Sequence, residues 1–156
     1  MIDLLVNDAL EIPDYSEELT RVAQDTLLLV QPGLKCDISI ALTTDEDIRQ
    51  LNAQFRGIDR PTDVLSFESD ETDPETGVRY LGDIVISYPR ALQQAREAGH
   101  PVNNELMLLT THGVLHLLGY DHGTPESKKA MWSLQDQVLQ TNHVHLNKIS
   151  GDDENE

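Results

Sequence analysis

The chain has 156 residues, 38% hydrophobic and 25% charged, which suits one globular domain. No apolar run approaches the ~20 residues needed to span a bilayer. The formal net charge of −17, from 28 acidic against 11 basic residues, argues against a broadly basic nucleic-acid surface and obliges any polyanion to meet a local basic strip.

Ile2 to Val6 is a short apolar run that predicts a strand. Ser16 is placed to cap a helix running to Val30, with Leu19, Val22, Ala23, Thr26 and Val30 on one face. Pro32 and Gly33 stop it. Asp37 to Thr43 alternates through Ile38, Ile40 and Leu42, the period of a strand. Thr44 to Asp47 matches a capping box, and Ile48, Leu51 and Phe55 form the inward face of a helix that Gly57 ends. Asp63 to Glu68 predicts a strand, followed by an acidic loop from Ser69 to Val78. Leu81 to Ser87 is the next strand. Ser87 caps a helix with Pro89 in its first turn, ending at Gly99.

Val102 to Leu118 is apolar nearly all round, which predicts a buried central helix. Thr124 and Pro125 open a last helix with Met131, Leu134, Val138 and Leu139 inward. The order is β-α-β-α-β-β-α-α-α. It predicts an α/β (α+β) fold in a single domain over residues 1–148, with about four strands and about five helices. Residues 149–156 read as an acidic, disordered tail. A lone cysteine, Cys36, and an N-terminus without a basic signal region point to the cytoplasm.

Three of the six histidines fall close together as His112, His116 and His122. The first two are spaced i, i+4, which puts both rings on one helical face. Gly119 can end the helix and let the next turn bring His122 back. Three neutral imidazoles and an open position suit a hydrolytic zinc ion. Imidazole also suits other divalent transition metals. The same spacing occurs in zinc proteases of the pattern H-E-x-x-H-x-x-G-x-x-H, but Gly113 stands where those enzymes carry their general-base glutamate. His100 reads as a surface loop residue. His143 and His145 read as solvated or helix-capping.

Two independent segments carry a family resemblance. One is Phe55, Arg56, Gly57, Ile58, Asp59, Arg60, Pro61, Thr62, Asp63, Val64, Leu65, Ser66 and Phe67; the other is His112 to His122, with Leu81, Gly82, Asp83 and Ile84 between the two. Together they resemble the bacterial YbeY family of rRNA maturation factors, over nearly the whole chain. The resemblance implies a mixed four-stranded sheet and one zinc ion held by His112, His116 and His122. It implies a single-strand-specific endoribonuclease in ribosomal RNA maturation, notably at the small-subunit 3′ end, and in ribosome quality control. Ribosomal RNA and ribosome-associated proteins would be its partners, with no membrane and no nucleotide cofactor.

Arg56 would match the family's functionally important arginine. Read by itself it is either a phosphate-holding guanidinium or a cation paired with the end of its helix. Arg60 is a lesser candidate for phosphate contact. Asp121 either orients a histidine or acts as a base, or is an exposed turn acid. Ser66 is a candidate RNA contact or an ordinary strand serine. Asp83 is a candidate partner for a ligand imidazole, or an ordinary acid at a strand start. Two other readings compete: an assembly factor whose metal is structural, and a zinc hydrolase acting on another substrate.

Overall fold

A computed structural model describes residues 1–146. The boundary at 148 and the acidic tail at 149–156 lie outside the described residues. The elements are β1 (Ile2–Val6), α1 (Ser16–Val30), β2 (Cys36–Thr43), α2 (Asp45–Arg56), β3 (Val64–Glu68), β4 (Arg79–Ser87), α3 (Tyr88–Ala98), α4 (Val102–Leu117) and α5 (Pro125–Thr141).

The four strands form one mixed sheet in the order β1-β2-β4-β3. β1 and β4 both run parallel to β2, and β3 runs antiparallel to β4. Alternation along the strands divides the core in two. Ile38, Ile40, Leu42, Val64, Ile84 and Ile86 face α1 and α4 in the main core. Leu65 and Val85 face the other way, onto Ile48 of α2, with Ala41, Leu51 and Phe67 around them.

Helix α4 is the centre of the molecule. Every residue from Glu105 to Leu115 is buried. Its all-round apolar sequence has this consequence: it packs on α1, α3 and α5 as well as on β3 and β4.

Four local expectations need correction. Ser16 is the first residue of α1 rather than its cap; Tyr15 is the N-cap, and the Ser16 hydroxyl and amide both donate to Asp14 Oδ1. The box at the start of α2 is half formed. Thr44 accepts from the Asp47 amide, while the Asp47 carboxylate is taken by Asn7 and Thr43, both at 2.7 Å. Phe55 is 59% exposed, because α2 packs through Ile48 and Asn52 and its last turn meets edge strand β3 through a ring contact with Phe67.

His100 is buried rather than on the surface. Its Nε2 lies 2.6 Å from Glu105 Oε1, and the two side chains are 2% and 0% exposed. A helix buried all round also buries the acid in its first turn. The junction between α3 and α4 supplies that acid with a hydrogen-bond partner.

Candidate metal centre

His112 and His116 occupy successive turns of α4. The helix ends immediately after them. Gly119 has φ +99°, the Gly119 amide donates to His116 O at 3.0 Å, and the Tyr120 amide donates to Leu115 O at 3.0 Å. That is the paired bonding of a Schellman stop, which needs a left-handed residue and so favours glycine. The reversed chain carries His122 back over the helix before Thr124 caps α5. The three ring centroids end 4.6, 5.4 and 5.4 Å apart. One nitrogen from each ring falls within 4.8 Å of the others.

The hydrogen bonds fix which nitrogens are available. His112 Nδ1 lies 2.6 Å from Gln135 Oε1 on α5. An amide oxygen only accepts, so Nδ1 carries the ring proton and Nε2 presents a lone pair. His116 Nε2 lies 3.0 Å from that lone pair. His122 Nε2 is buried without a hydrogen-bond partner. Three ring nitrogens gathered within 4.8 Å of one another, one presenting a lone pair and one without a hydrogen-bond partner, suit a cation, so the residues fit a divalent metal ion. Trp132 closes the back of the cluster, edge-on to His112 at 5.6 Å and to His122 at 5.5 Å.

Electrostatics keep His112 and His116 neutral. Burial, then the neighbouring His116, pushes His112 down to about 3. His116 is pushed down to about 4 by burial, by His122 and by the Arg56 cation. Neutral imidazole is the form that binds a metal.

A cleft of about 450 Å³ opens beside the cluster, lined by Arg56, Ser66, Phe67, Glu68, His116, Gly119, Tyr120 and Asp121. Arg56 is exposed at the end of α2, immediately before Gly57 caps the helix. Ser66 is on the face of β3 toward α4, its hydroxyl 3.4 Å from Gly113 O. Asp121 is an exposed turn acid whose Oδ1 accepts from the Gly123 amide at 3.2 Å. That bond, then Ser127, holds its carboxyl below the usual carboxylate range. The Asp121 side chain holds the turn before Thr124 and also lines the cleft beside His116.

Two of the candidate residues are not brought to the cleft. Arg60 is exposed on the loop after α2, where its carbonyl accepts from Asn52 Nδ2 at 2.9 Å, and it is not among the cleft's lining residues. Asp83 corrects the idea of a partner for a ligand imidazole. Ile84 faces α4, so by alternation Asp83 projects from the opposite face, where it accepts from the Tyr80 hydroxyl. Gln135 is the residue that holds a ring of the cluster. It sits four residues after Met131 and three before Val138, a buried amide on an apolar stripe.

Gly113 is explained by packing. A Cβ there would lie 2.7 Å from Ile84 Cγ2, so any side chain at this position would have to displace the Ile84 side chain from the α4–β4 contact. Glycine where the zinc-protease pattern has its glutamate thus serves close packing, and that pattern's base is absent.

A family model described as Endoribonuclease YbeY matches residues 5–143. An Endoribonuclease YbeY of Persephonella marina is 43% identical over 148 residues, covering 94% of this chain and 97% of its own. That of Shouchella clausii is 44% identical over 154 residues, covering 90% and 95%. The solution structure of a Thermotoga maritima protein is 27% identical and superimposes with a TM-score of 0.61, covering 100% of this chain and 99% of that one.

Proposed function

The chain belongs to the YbeY endoribonuclease family, and from that premise we propose that it cleaves single-stranded ribosomal RNA, with zinc held by His112, His116 and His122. The reading extends to small-subunit 3′-end maturation and ribosome quality control in the cytoplasm. The observation that supports it best is the sharing of one cleft by His116 and Arg56.

Each residue has a part that follows from its chemistry. Three neutral imidazoles are the donor set of a catalytic zinc site that keeps one position open. Zinc, when bound, supplies a Lewis acid for a phosphoryl oxygen and lowers the pKa of water. Arg56 brings a planar guanidinium that holds two phosphate oxygens and stabilises the charge that grows on them during cleavage. Gln135 holds the His112 ring in one tautomer and one orientation. Ser66, on the strand wall of the cleft, is a hydrogen-bond donor within reach of the RNA strand. Arg60 is left to the outer path of the strand. With a net charge of −17, the protein meets the ribosome through protein partners as well as through RNA.

The test is cleavage of a single-stranded RNA covering the small-subunit 3′ end, with and without a chelator, beside His116→Ala and Arg56→Ala. His116→Ala is expected to lose metal and cleavage together. Arg56→Ala is expected to keep its metal and lose about 10²- to 10³-fold in kcat, the loss typical for one donor to a developing oxyanion. Unchanged cleavage in both variants, or wild-type protein free of metal and without activity, would sink the proposal. An inactive wild type still needed for ribosome assembly would favour a structural metal instead.

A further inference from the structure

We propose that Phe55, held edge-on by Phe67, is the platform on which an unpaired RNA base stacks while an adjacent phosphate meets Arg56. This rests on the endoribonuclease reading and names how that site selects single strands.

Phe55 is 59% exposed, whereas the other strongly exposed apolar side chains, such as Leu5 at 59% and Leu28 at 68%, are aliphatic. Its ring is not loose. The Phe55 and Phe67 centroids lie 5.3 Å apart with planes at 66°. An edge contact of that kind fixes the ring and leaves the rest of its π-surface to solvent. Phe67 lines the cleft that also contains Arg56 and His116. Arg56 is the next residue in the chain and is likewise exposed at the end of α2. Phe55 does not itself line the cleft; it adjoins it through Phe67, whose ring it touches and which lines the cleft with Arg56 and His116.

Charge gives the aromatic surface its purpose. Most single-strand binders draw affinity from a basic groove. Here the net charge is −17, and the cleft lining holds one guanidinium against two carboxylates, Glu68 and Asp121. Even with a divalent cation on the three histidines the cleft is nearly balanced in charge within an acidic chain, so phosphate attraction is modest and an uncharged contact adds the missing affinity. Stacking on an aromatic ring is such a contact, and every base has a face to offer. A base inside a duplex is already stacked on both faces and cannot use the platform.

The full-length protein would be titrated with a single-stranded oligoribonucleotide carrying 2-aminopurine, with its duplex, and with strands in which one abasic residue is walked along the sequence. Phe55→Ala, Phe55→Leu and Phe55→Trp would be compared, all exposed substitutions. Wild type is expected to quench 2-aminopurine in the single strand only, and one abasic position is expected to weaken its binding. Phe55→Ala and Phe55→Leu should each weaken binding roughly 5- to 100-fold, the range for one stacked base. They should also lose the abasic penalty, and Phe55→Trp should restore both. In cleavage the same factor should appear in KM, with kcat within about twofold. Cleaving protein in which Phe55→Leu binds like wild type, or in which no abasic position matters, overturns the platform alone. Wild type that neither binds nor cuts RNA overturns the endoribonuclease reading and the platform with it.

Discussion

At the N-terminal end of α4, buried His100 meets buried Glu105 at 2.6 Å. At its C-terminal end, His112 and His116 meet each other at 3.0 Å. The first pair combines a ring nitrogen with a carboxylate, which satisfies both at that contact, and no cleft-lining residue belongs to it. The second sets ring against ring, adds His122 with an unpartnered Nε2, and opens on a cleft shared with Arg56. The difference separates a histidine that completes a core from histidines arranged to suit a cation. Burial does not decide it, since His100 and His112 are each 8% exposed. The identity of the facing atom does.

The comparison breaks most visibly if the two ends are exchanged in their effects. Glu105→Ala should cost about 3–5 kcal/mol of stability, because it leaves His100 buried opposite an apolar methyl group. Urea unfolding of the variant beside wild type measures this. Replacing both residues with leucine should recover much of the loss. Cleavage at a temperature where the variant stays folded should be unchanged. A Glu105→Ala protein that folds normally but loses metal would show that the two ends do one job.

Gln135→Leu sharpens the other side. The leucine preserves bulk and burial but removes the acceptor that fixes the His112 tautomer. Metal affinity should fall about 10- to 100-fold, the usual effect of losing a partner behind a ligand ring, and the metal-free protein should lose about 1–3 kcal/mol for the ring N–H left without an acceptor. Competition with a chromophoric chelator gives the affinity directly. An unchanged affinity would mean that packing against Trp132 alone orients the ring.

How much of this was legible in the sequence depends on whether the signal is local. Strand alternation, the Thr44, Ser87 and Thr124 caps and the Gly57 and Gly99 stops are local, and each element forms close to where its pattern places it, the largest shift being β4, which begins at Arg79 rather than Leu81. The histidine spacing is also local, because i, i+4 plus a glycine stop nearly fixes the geometry. Gln135 is not. It lies 23 residues from His112 and becomes a partner only when α5 packs on α4. Its one local trace is a polar residue on an otherwise apolar stripe. Glu105 left the same trace in the most apolar helix of the chain. Asp83 shows the converse: its character suggested a partner for a histidine, but strand parity turns it to the wrong face. Phe55 has helical spacing for burial, yet at its end of α2 it meets only the rim of β3.

The smallest expected effect concerns pH, and its sign follows from the same neutrality that suits the rings to metal. His112 titrates near 6.5 in the unfolded chain and is pushed down to about 3 in the folded one. Between those values the unfolded state binds the extra proton, so stability rises with pH there. Metal-free protein should be unpenalised by this ring above about pH 7 and progressively destabilised as pH falls below 6.5. From pH 7 to pH 5.5 the ring should cost about 1 kcal/mol. The effect is isolated by comparing chelated wild type with chelated His112→Asn, which lacks the titrating ring: wild type should lose about 1 kcal/mol more over that interval. Saturating metal should suppress the loss, because binding the neutral rings stabilises the folded state against protonation. An identical pH dependence in the two chelated proteins would mean that the folded ring takes up its proton as easily as the unfolded one. The cluster would then resemble an exposed histidine patch more than a site held ready for a cation.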